Sequence, residues 1–306
     1  MFHCNGWGMP FTMAGMGAPQ VVLRKVDGTE ILRRVAEHGV TLMCGAPAVF
    51  NAVLDAAANW DGEIPGRDTV RVVCAGAAPP SRTIERIITE LGWDFQQIYG
   101  LTETSPLIAH NRTRPEDLHL PVADRAKRLS RAGSPTLGAR FKISDSGEIL
   151  TRSNTVLKGY WNSPEETAVA LEGGWFHTGD GGTIETDGGQ VVISDRKKDV
   201  IITGGENVSS IEVEDALFSH PAVAEAAVIG VPDDKWGETI KALVVLVEGT
   251  EVTAAELIVH CKGRLAGYKS PTSIEFREEI PRTATGKIQK FKLRKQFWAE
   301  GERQVN

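Results

Sequence analysis

Six consecutive residues, Tyr99-Gly100-Leu101-Thr102-Glu103-Thr104, combine groups suited to a nucleotide. An aromatic ring stacks on a base, glycine lets backbone approach a ligand, a threonine hydroxyl donates to phosphate, and a glutamate is a hard oxygen ligand for Mg2+. The plainer alternative is a strand-to-helix turn with a threonine cap and an acidic first turn. Upstream, Gly76-Ala77-Ala78 is small enough for a planar base to lie on backbone, or simply for tight strand–helix packing. In Trp175-Phe176-His177-Thr178-Gly179-Asp180 a carboxylate follows a glycine at a turn, where it can accept two hydrogen bonds from a ribose diol or close an Asx-turn. Arg196 offers a ribose or phosphate contact, with a surface ion pair as its alternative. Lys287, in the polar stretch Pro281–Lys287, can close on a phosphoryl group and stabilise developing charge, or be a solvated turn lysine. His3 and Trp7 lie in an apolar, glycine-rich opening segment, where they suit either an acyl pocket or the core.

These residues need elements to hold them. The apolar run 70–76 reads as a strand, 80–91 as a helix and 94–99 as a second strand. Two strand ends therefore deliver Gly76–Ala78 and Tyr99–Thr104 to one edge of a sheet, the place where open α/β sheets bind ligands. Strands are expected at 20–25 and 40–46, and helices at 29–38, capped by Thr29, and 47–59. The alternation indicates a parallel sheet with crossover helices. Residues 111–132, polar and rich in arginine, read as a surface excursion. From about 133 to 194 the short strands and frequent glycines suggest a small β-barrel or bent antiparallel sheet. The charged run Asp195–Asp199 closes it. An α+β unit follows, with strands at 201–203, 223–231, 239–247 and 273–276 and helices beginning near Ser209 and Thr253. The expected organisation is an α/β large-domain portion over 1–197, with the barrel-like subdomain at its end, and a smaller α+β C-terminal domain over 198–306.

Composition narrows the function. A net charge of −6 over 306 residues argues against a general nucleic-acid binder. The four cysteines are scattered without metal-binding spacing, and no apolar stretch reaches membrane-spanning length. The opening residues lack the basic region of a secretory signal, so a cytoplasmic location is expected.

Taken in order, Ala75–Pro80, Tyr99–Thr104, Gly147-Glu148-Ile149 with Gly159-Tyr160-Trp161, Trp175–Asp180, Asp195–Asp199 with Gly204-Gly205-Glu206-Asn207, and Pro281–Lys287 resemble the acyl-adenylate-forming superfamily over essentially the whole chain. That superfamily holds acyl-CoA synthetases, adenylation domains of nonribosomal peptide synthetases and beetle luciferases. Within it the chain is similar to bacterial fatty-acyl-CoA synthetases. The resemblance implies ATP, Mg2+ and coenzyme A as ligands. Gly76, Ala77 and Ala78 would hold adenine, with Tyr99 stacked on it and Gly100 beside it. Thr102 would touch the α-phosphate and Glu103 bind Mg2+. Asp180 and Arg196 would hold the ribose. Lys198 would be the hinge between domains and Lys287 the lysine supporting adenylation. Gly204, Gly205 and Glu206 would line the pantetheine tunnel, and His3 and Trp7 would border the acyl pocket.

The implied function is activation of a medium- or long-chain fatty acid through acyl-AMP to acyl-CoA. Alternatives are a ligase for a short or aryl acid, and a non-catalytic chain that binds AMP, an acyl ligand or a partner. An amino-acid adenylation domain is disfavoured because no carrier motif follows. The superfamily's phosphate loop, rich in Ser, Thr and Gly, has no match here, so the sequence is expected to be an N-terminally truncated form with weakened ATP binding. Its exposed apolar surface leaves a homodimer open.

Overall fold

The computed structural model describes residue 6 and residues 8–186, 189–283 and 287–298. The chain divides into two compact units, one of Met1–Thr178 with Thr183–Val192 and the other of Gly179–Gly182 with Ile193–Asn306.

In the first unit, helix α1 (Met9–Gly15) buries none of its residues. Helices α2 (Gly28–His38) and α3 (Pro47–Ala57) then alternate with strands β1 (Leu42–Gly45), β2 (Arg71–Cys74) and β3 (Asp94–Gly100). These three strands pair in parallel, β1 with β2 and β2 with β3. The chain crosses from β2 to β3 through α4 (Ser81–Arg86), which runs on as a π turn over Ile87–Leu91. Apolar residues on alternate positions set the sheet's buried side. In β3 Phe95, Gln97 and Tyr99 point inward while Asp94 and Gly100 are exposed. Phe50, Leu54, Val72, Ile84, Trp93 and Phe95 share one core with Leu32. α2 and α3 cross so closely at Gly28 that a Cβ there would lie 2.0 Å from the Ala52 carbonyl oxygen. Strand β4 (Leu107–Arg112) runs antiparallel to β3, and the short β5 (Ser134–Pro135) pairs with β4.

Three expectations fail here. No strand forms at 20–25, where Val22 is 81% exposed. The cap of α2 is Asp27, not Thr29, and its carboxylate accepts from the Glu30 amide at 3.0 Å. Residues 111–132 are no surface excursion. They contain the end of β4 and helix α5 (Val122–Leu129), whose Ala126 and Leu129 join the main core. Asp124, Lys127 and Arg128 lie on the exposed face of this amphipathic helix.

The second sheet is four-stranded, in the order β6 (Arg140–Ile143), β7 (Glu148–Arg152), β8 (Phe176–Ile184) and β9 (Val191–Arg196). Helix α6 (Pro164–Ala170) lies between β7 and β8 in sequence. The division between units falls within β8 and again within β9.

In the second unit the order is β11 (Glu206–Val208), β10 (Ile201–Thr203), β13 (Gly237–Leu246) and β12 (Val223–Asp233), with β14 (Ser273–Phe276) parallel to β13. The long hairpin of β12 and β13 separates two apolar layers. Ala226, Val228, Ile240, Ala242 and Val244 pack with α7 (Ser210–Phe218) and α8 (Ala254–Lys262). Ala227, Ile229, Val231 and Leu243 pack instead with Ile280 and with Leu293 of α9 (Lys290–Arg294). A capping box opens α8, with the Thr253 hydroxyl taking the Glu256 amide at 3.2 Å and the Glu256 carboxylate taking the Thr253 amide at 2.8 Å.

Phe50 is fully buried in the first unit's core. Phe50→Ala is expected to cost about 3–5 kcal/mol in the urea-induced unfolding of this chain, because the rigid helix–sheet layer leaves a cavity.

Candidate active site

The first unit brings two sequence-predicted segments of a nucleotide site, Gly76–Ala78 and Tyr99–Thr104, to the ends of neighbouring strands. β2 ends at Cys74, and the loop after it turns at Gly76, whose φ of +93° favours glycine. Gly76 and Ala77 are exposed and Ala78 half-buried, so their backbone is open to a ligand. The loop is tied down where the Ala75 amide donates to the Gly45 carbonyl at 3.1 Å. The buried Cys74 thiol behind it is pushed far above its ordinary pKa by burial, which makes it an inert packing group.

The neighbouring strand β3 ends in Tyr99 and Gly100. Tyr99 is 8% exposed. Gly100 has no space for a side chain, since a Cβ would stand 1.7 Å from the Pro106 carbonyl oxygen and 2.7 Å from Leu107 Cα. This contact folds the next segment back onto β3, and Gly100 pairs with Leu107 in the ladder. Thr104, fully buried, pins the turn. Its hydroxyl accepts from the Leu101 amide at 2.9 Å and lies 2.5 Å from the Pro106 carbonyl oxygen. Held from beneath in this way, Thr102 is exposed and Glu103 half-buried.

The Glu103 carboxylate has a partner that no sequence-based expectation assigned. The Tyr160 hydroxyl donates to Glu103 Oε1 at 3.1 Å, and the Leu157 amide donates to the Glu103 carbonyl at 2.8 Å. Burial, and then the adjacent Glu103 charge, raise the Tyr160 phenol above its ordinary pKa, so it stays a donor at neutral pH. Its only sequence signal was the Gly159-Tyr160-Trp161 motif, which carries family resemblance but no evident chemistry. The buried Glu148 of the Gly147-Glu148-Ile149 motif faces His177 Nδ1 at 3.2 Å, and the Thr178 hydroxyl donates to the Ile149 carbonyl at 2.7 Å. These contacts fix the strand that leads to Gly179.

In the second unit Asp180 and Arg196 come together, with Arg196 Nε 3.9 Å from Asp180 Oδ1 and Asp180 much the more buried. The Lys197 amide donates to the Gly179 carbonyl at 3.1 Å, which joins the two segments through backbone. Lys198 is exposed. Gly204 and Gly205 form the turn between β10 and β11 with φ of +60° and +86°, and Glu206 beside them is exposed. The Trp236 ring covers Gly204, where a Cβ would lie 2.9 Å from the ring. Lys287 is half-buried and is tied to Thr283. Its amide donates to the Thr283 hydroxyl at 3.1 Å, and the Thr283 amide donates to the Lys287 carbonyl at 2.8 Å. His3 and Trp7 lie outside the described residues.

The geometry agrees with comparisons to known proteins. The AMP-binding enzyme family matches residues 1–161, and the AMP-binding enzyme C-terminal domain matches residues 212–287. The chain belongs to the AMP-binding enzyme family. It is 43% identical to the 2-methylpropanoate–CoA ligase CCL4 of Humulus lupulus over 96% of this chain and 55% of that protein. It is 38% identical to the peroxisomal trans-cinnamate:CoA ligase of Petunia hybrida, over 96% of this chain and 53% of that protein. Among solved structures, o-succinylbenzoate CoA synthetase from Bacillus subtilis, in complex with its acyl-adenylate intermediate, aligns with a TM-score of 0.79 at 30% identity. That alignment covers 99% of this chain and 60% of the other. The chain thus spans about half the length of the curated relatives it matches.

Gly100→Ala is expected to destabilise the chain by about 3 kcal/mol in chemical denaturation, because a backbone carbonyl occupies the space of the new methyl. Gly267→Ala, where a Cβ meets nothing within 4 Å, serves as the control and is expected to stay within about 0.5 kcal/mol of wild type.

Proposed function

We propose that the protein to which this sequence belongs is an ATP-dependent acid–CoA ligase that works through an acyl-adenylate. The observation that carries this reading is the match to both the AMP-binding enzyme family and its C-terminal domain, with relatives named as CoA ligases aligned over 96% of the chain. In the first step a substrate carboxylate oxygen attacks the α-phosphorus of ATP. A phosphorus–oxygen bond to the acyl group forms as the bond to pyrophosphate breaks. In the second, the CoA sulfur attacks the activated carbonyl and AMP leaves.

The residues take the roles that the superfamily resemblance implies. Gly76–Ala78 and Tyr99 hold adenine, with Gly100 alongside, and Asp180 and Arg196 hold the ribose. Thr102 donates to the α-phosphate. Lys287 offsets charge that builds on the phosphate during adenylation. Lys198 is the hinge, and Gly204, Gly205 and Glu206 serve the pantetheine arm. Glu103 fits a magnesium ion. It supplies a hard carboxylate oxygen, and the described residues contain no cluster of three His, Cys, Asp or Glu that would suggest a metal caged by protein alone. Mg2+ would supply charge neutralisation at the phosphates, while Tyr160 holds the Glu103 carboxylate in place.

Of the two acid classes open from sequence, the relatives' names favour a short branched or aryl acid over a medium- or long-chain fatty acid. We read the compartment as reducing, such as the cytoplasm, which suits cysteines scattered without metal-binding spacing; a peroxisomal relative keeps the peroxisome in view. No helix among the described residues is long and apolar enough to cross a membrane.

The test is acid-dependent ATP–pyrophosphate exchange, run with 2-methylpropanoate, cinnamate, benzoate, octanoate and palmitate. Exchange is expected with a short or aryl acid, reduced on the order of 100-fold or more by Lys287→Ala. Glu103→Gln is expected to raise the Mg2+ concentration needed for half-maximal rate. Best exchange with palmitate would restore the fatty-acid reading. A folded chain that exchanges with no acid, yet binds AMP, would fit the binding-only alternative.

A further inference from the structure

The Gly204-Gly205-Glu206 turn, read above as the segment serving the pantetheine arm, joins two strands of only three residues each, β10 and β11. Strands this short carry few ladder bonds, and β10 meets β13 in a single register pair, Thr203 with Gly237. One side of the turn is open, since a Cβ on Gly205 would meet nothing within 4 Å. A turn that presents bare backbone to a ligand depends on anchors beneath it. These come from the end of the β12–β13 hairpin. The Trp236 carbonyl accepts from the Gly204 amide at 2.9 Å, and the Trp236 ring covers Gly204. Asp233 Oδ1 fixes that corner by accepting from the Lys235 and Trp236 amides, each at 2.9 Å. Glu238, only 8% exposed, supplies the remaining anchor, with its Oε2 accepting from the Ile202 amide at 3.0 Å.

The place of the Glu238 carboxylate is built into the sheet. Gly230 lies inside β12, opposite Ile240. Glycine weakens a strand interior and marks a site of close approach. A Cβ at Gly230 would stand 2.4 Å from Glu238 Oε2 and 3.2 Å from Ile201 Cγ2. The missing side chain is therefore the room that the carboxylate occupies. Burying a carboxylate costs free energy that an apolar residue would not incur. What it supplies here is placement: a strong acceptor, out of water, aimed at one backbone amide of β10.

We propose that Glu238 is a positioning residue for the thioester-forming step: it pins β10 through the Ile202 amide and so holds the Gly204–Glu206 turn in place for the pantetheine arm. The proposal rests on the reading of that turn as the pantetheine-lining segment. Glu238 acts through Ile202 and touches no substrate. Adenylation makes no use of the turn, so the effect of Glu238 is confined to the step that consumes CoA.

The test uses three variants. Glu238→Leu keeps bulk and removes the acceptor, Glu238→Gln keeps one acceptor oxygen, and Gly230→Ala leaves Glu238 in place but crowds its carboxylate. Hydrogen exchange by mass spectrometry on this chain reads the local effect. Peptides over 200–206 are expected to exchange about 10-fold faster in Glu238→Leu and Gly230→Ala, with α8 peptides unchanged and Glu238→Gln close to wild type. In CoA thioester formation by the protein to which this sequence belongs, the same two variants are expected to raise KM for CoA about 10-fold. ATP–pyrophosphate exchange, which needs no CoA, is expected to stay within about two-fold of wild type. Unaltered hydrogen exchange at 200–206 in both variants would overturn the proposal. So would a fall in pyrophosphate exchange as large as the loss in the CoA step, which marks a role in folding alone. Gly205→Ala, which puts a methyl on the open side of the turn, tests the underlying reading separately. If it left KM for CoA unchanged, the pantetheine reading would fail, and hydrogen exchange would still decide whether Glu238 holds the turn.

Discussion

The close approach of backbone to backbone at Gly100 is the constraint on which the first unit's site depends. A parallel strand normally hands its chain to a crossover helix. Here β3 instead meets the Pro106 carbonyl so tightly that only glycine fits, and the chain returns as antiparallel β4. The reversal leaves Thr102 and Glu103 on a short turn beyond the sheet edge, beside the loop from β2 that carries Gly76–Ala78. Thr104 completes the device by satisfying the backbone of the turn from its buried side. Small residues therefore recur at this edge for a steric reason as well as a chemical one. They make the turn possible, and the same absence of side chains leaves backbone open to a flat ligand.

The second unit is organised differently. Its β12–β13 hairpin buries apolar side chains on both faces, which gives a rigid slab with α7 and α8 on one side and α9 on the other. Charges are placed at the rims of that slab. Asp195, Glu214 and Lys290 meet near the start of α7, and Asp199 meets Arg294 at the end of α9. Every polar link in this set runs between segments distant in sequence, so it specifies their arrangement in a way that apolar packing alone does not.

Much of this was legible in the sequence. The apolar runs before Gly76 and Gly100 announced two parallel strands, and the glycine and threonine between them announced a ligand edge. The order of motifs announced the family. What escaped reading has identifiable causes. Residues 20–25 have strand-like composition but form no strand, and propensity gives way where pairing is missing. The arginines of 122–131 masked the apolar stripe of α5, whose Ala126 and Leu129 are buried. The β8 strand, rich in glycine and polar residues, carried no alternating pattern and went unassigned, although it leads directly to Asp180. Tyr160 and Lys290 resemble ordinary surface residues until the fold sets one against Glu103 and the other against Glu214, 57 and 76 residues away by their numbers. Long-range pairing of this kind leaves no local signature.

The central proposal is that this chain carries binding groups for an acyl-adenylate. Its most direct test is isothermal titration of this chain with an N-acylsulfamoyl adenosine, a stable analogue in which a sulfamoyl group replaces the phosphate. The account predicts one saturable site with affinity well above that for AMP, since the analogue engages adenine, ribose and acyl contacts at once. The absence of saturable binding, in protein whose circular dichroism and unfolding transition show it to be folded, would contradict it.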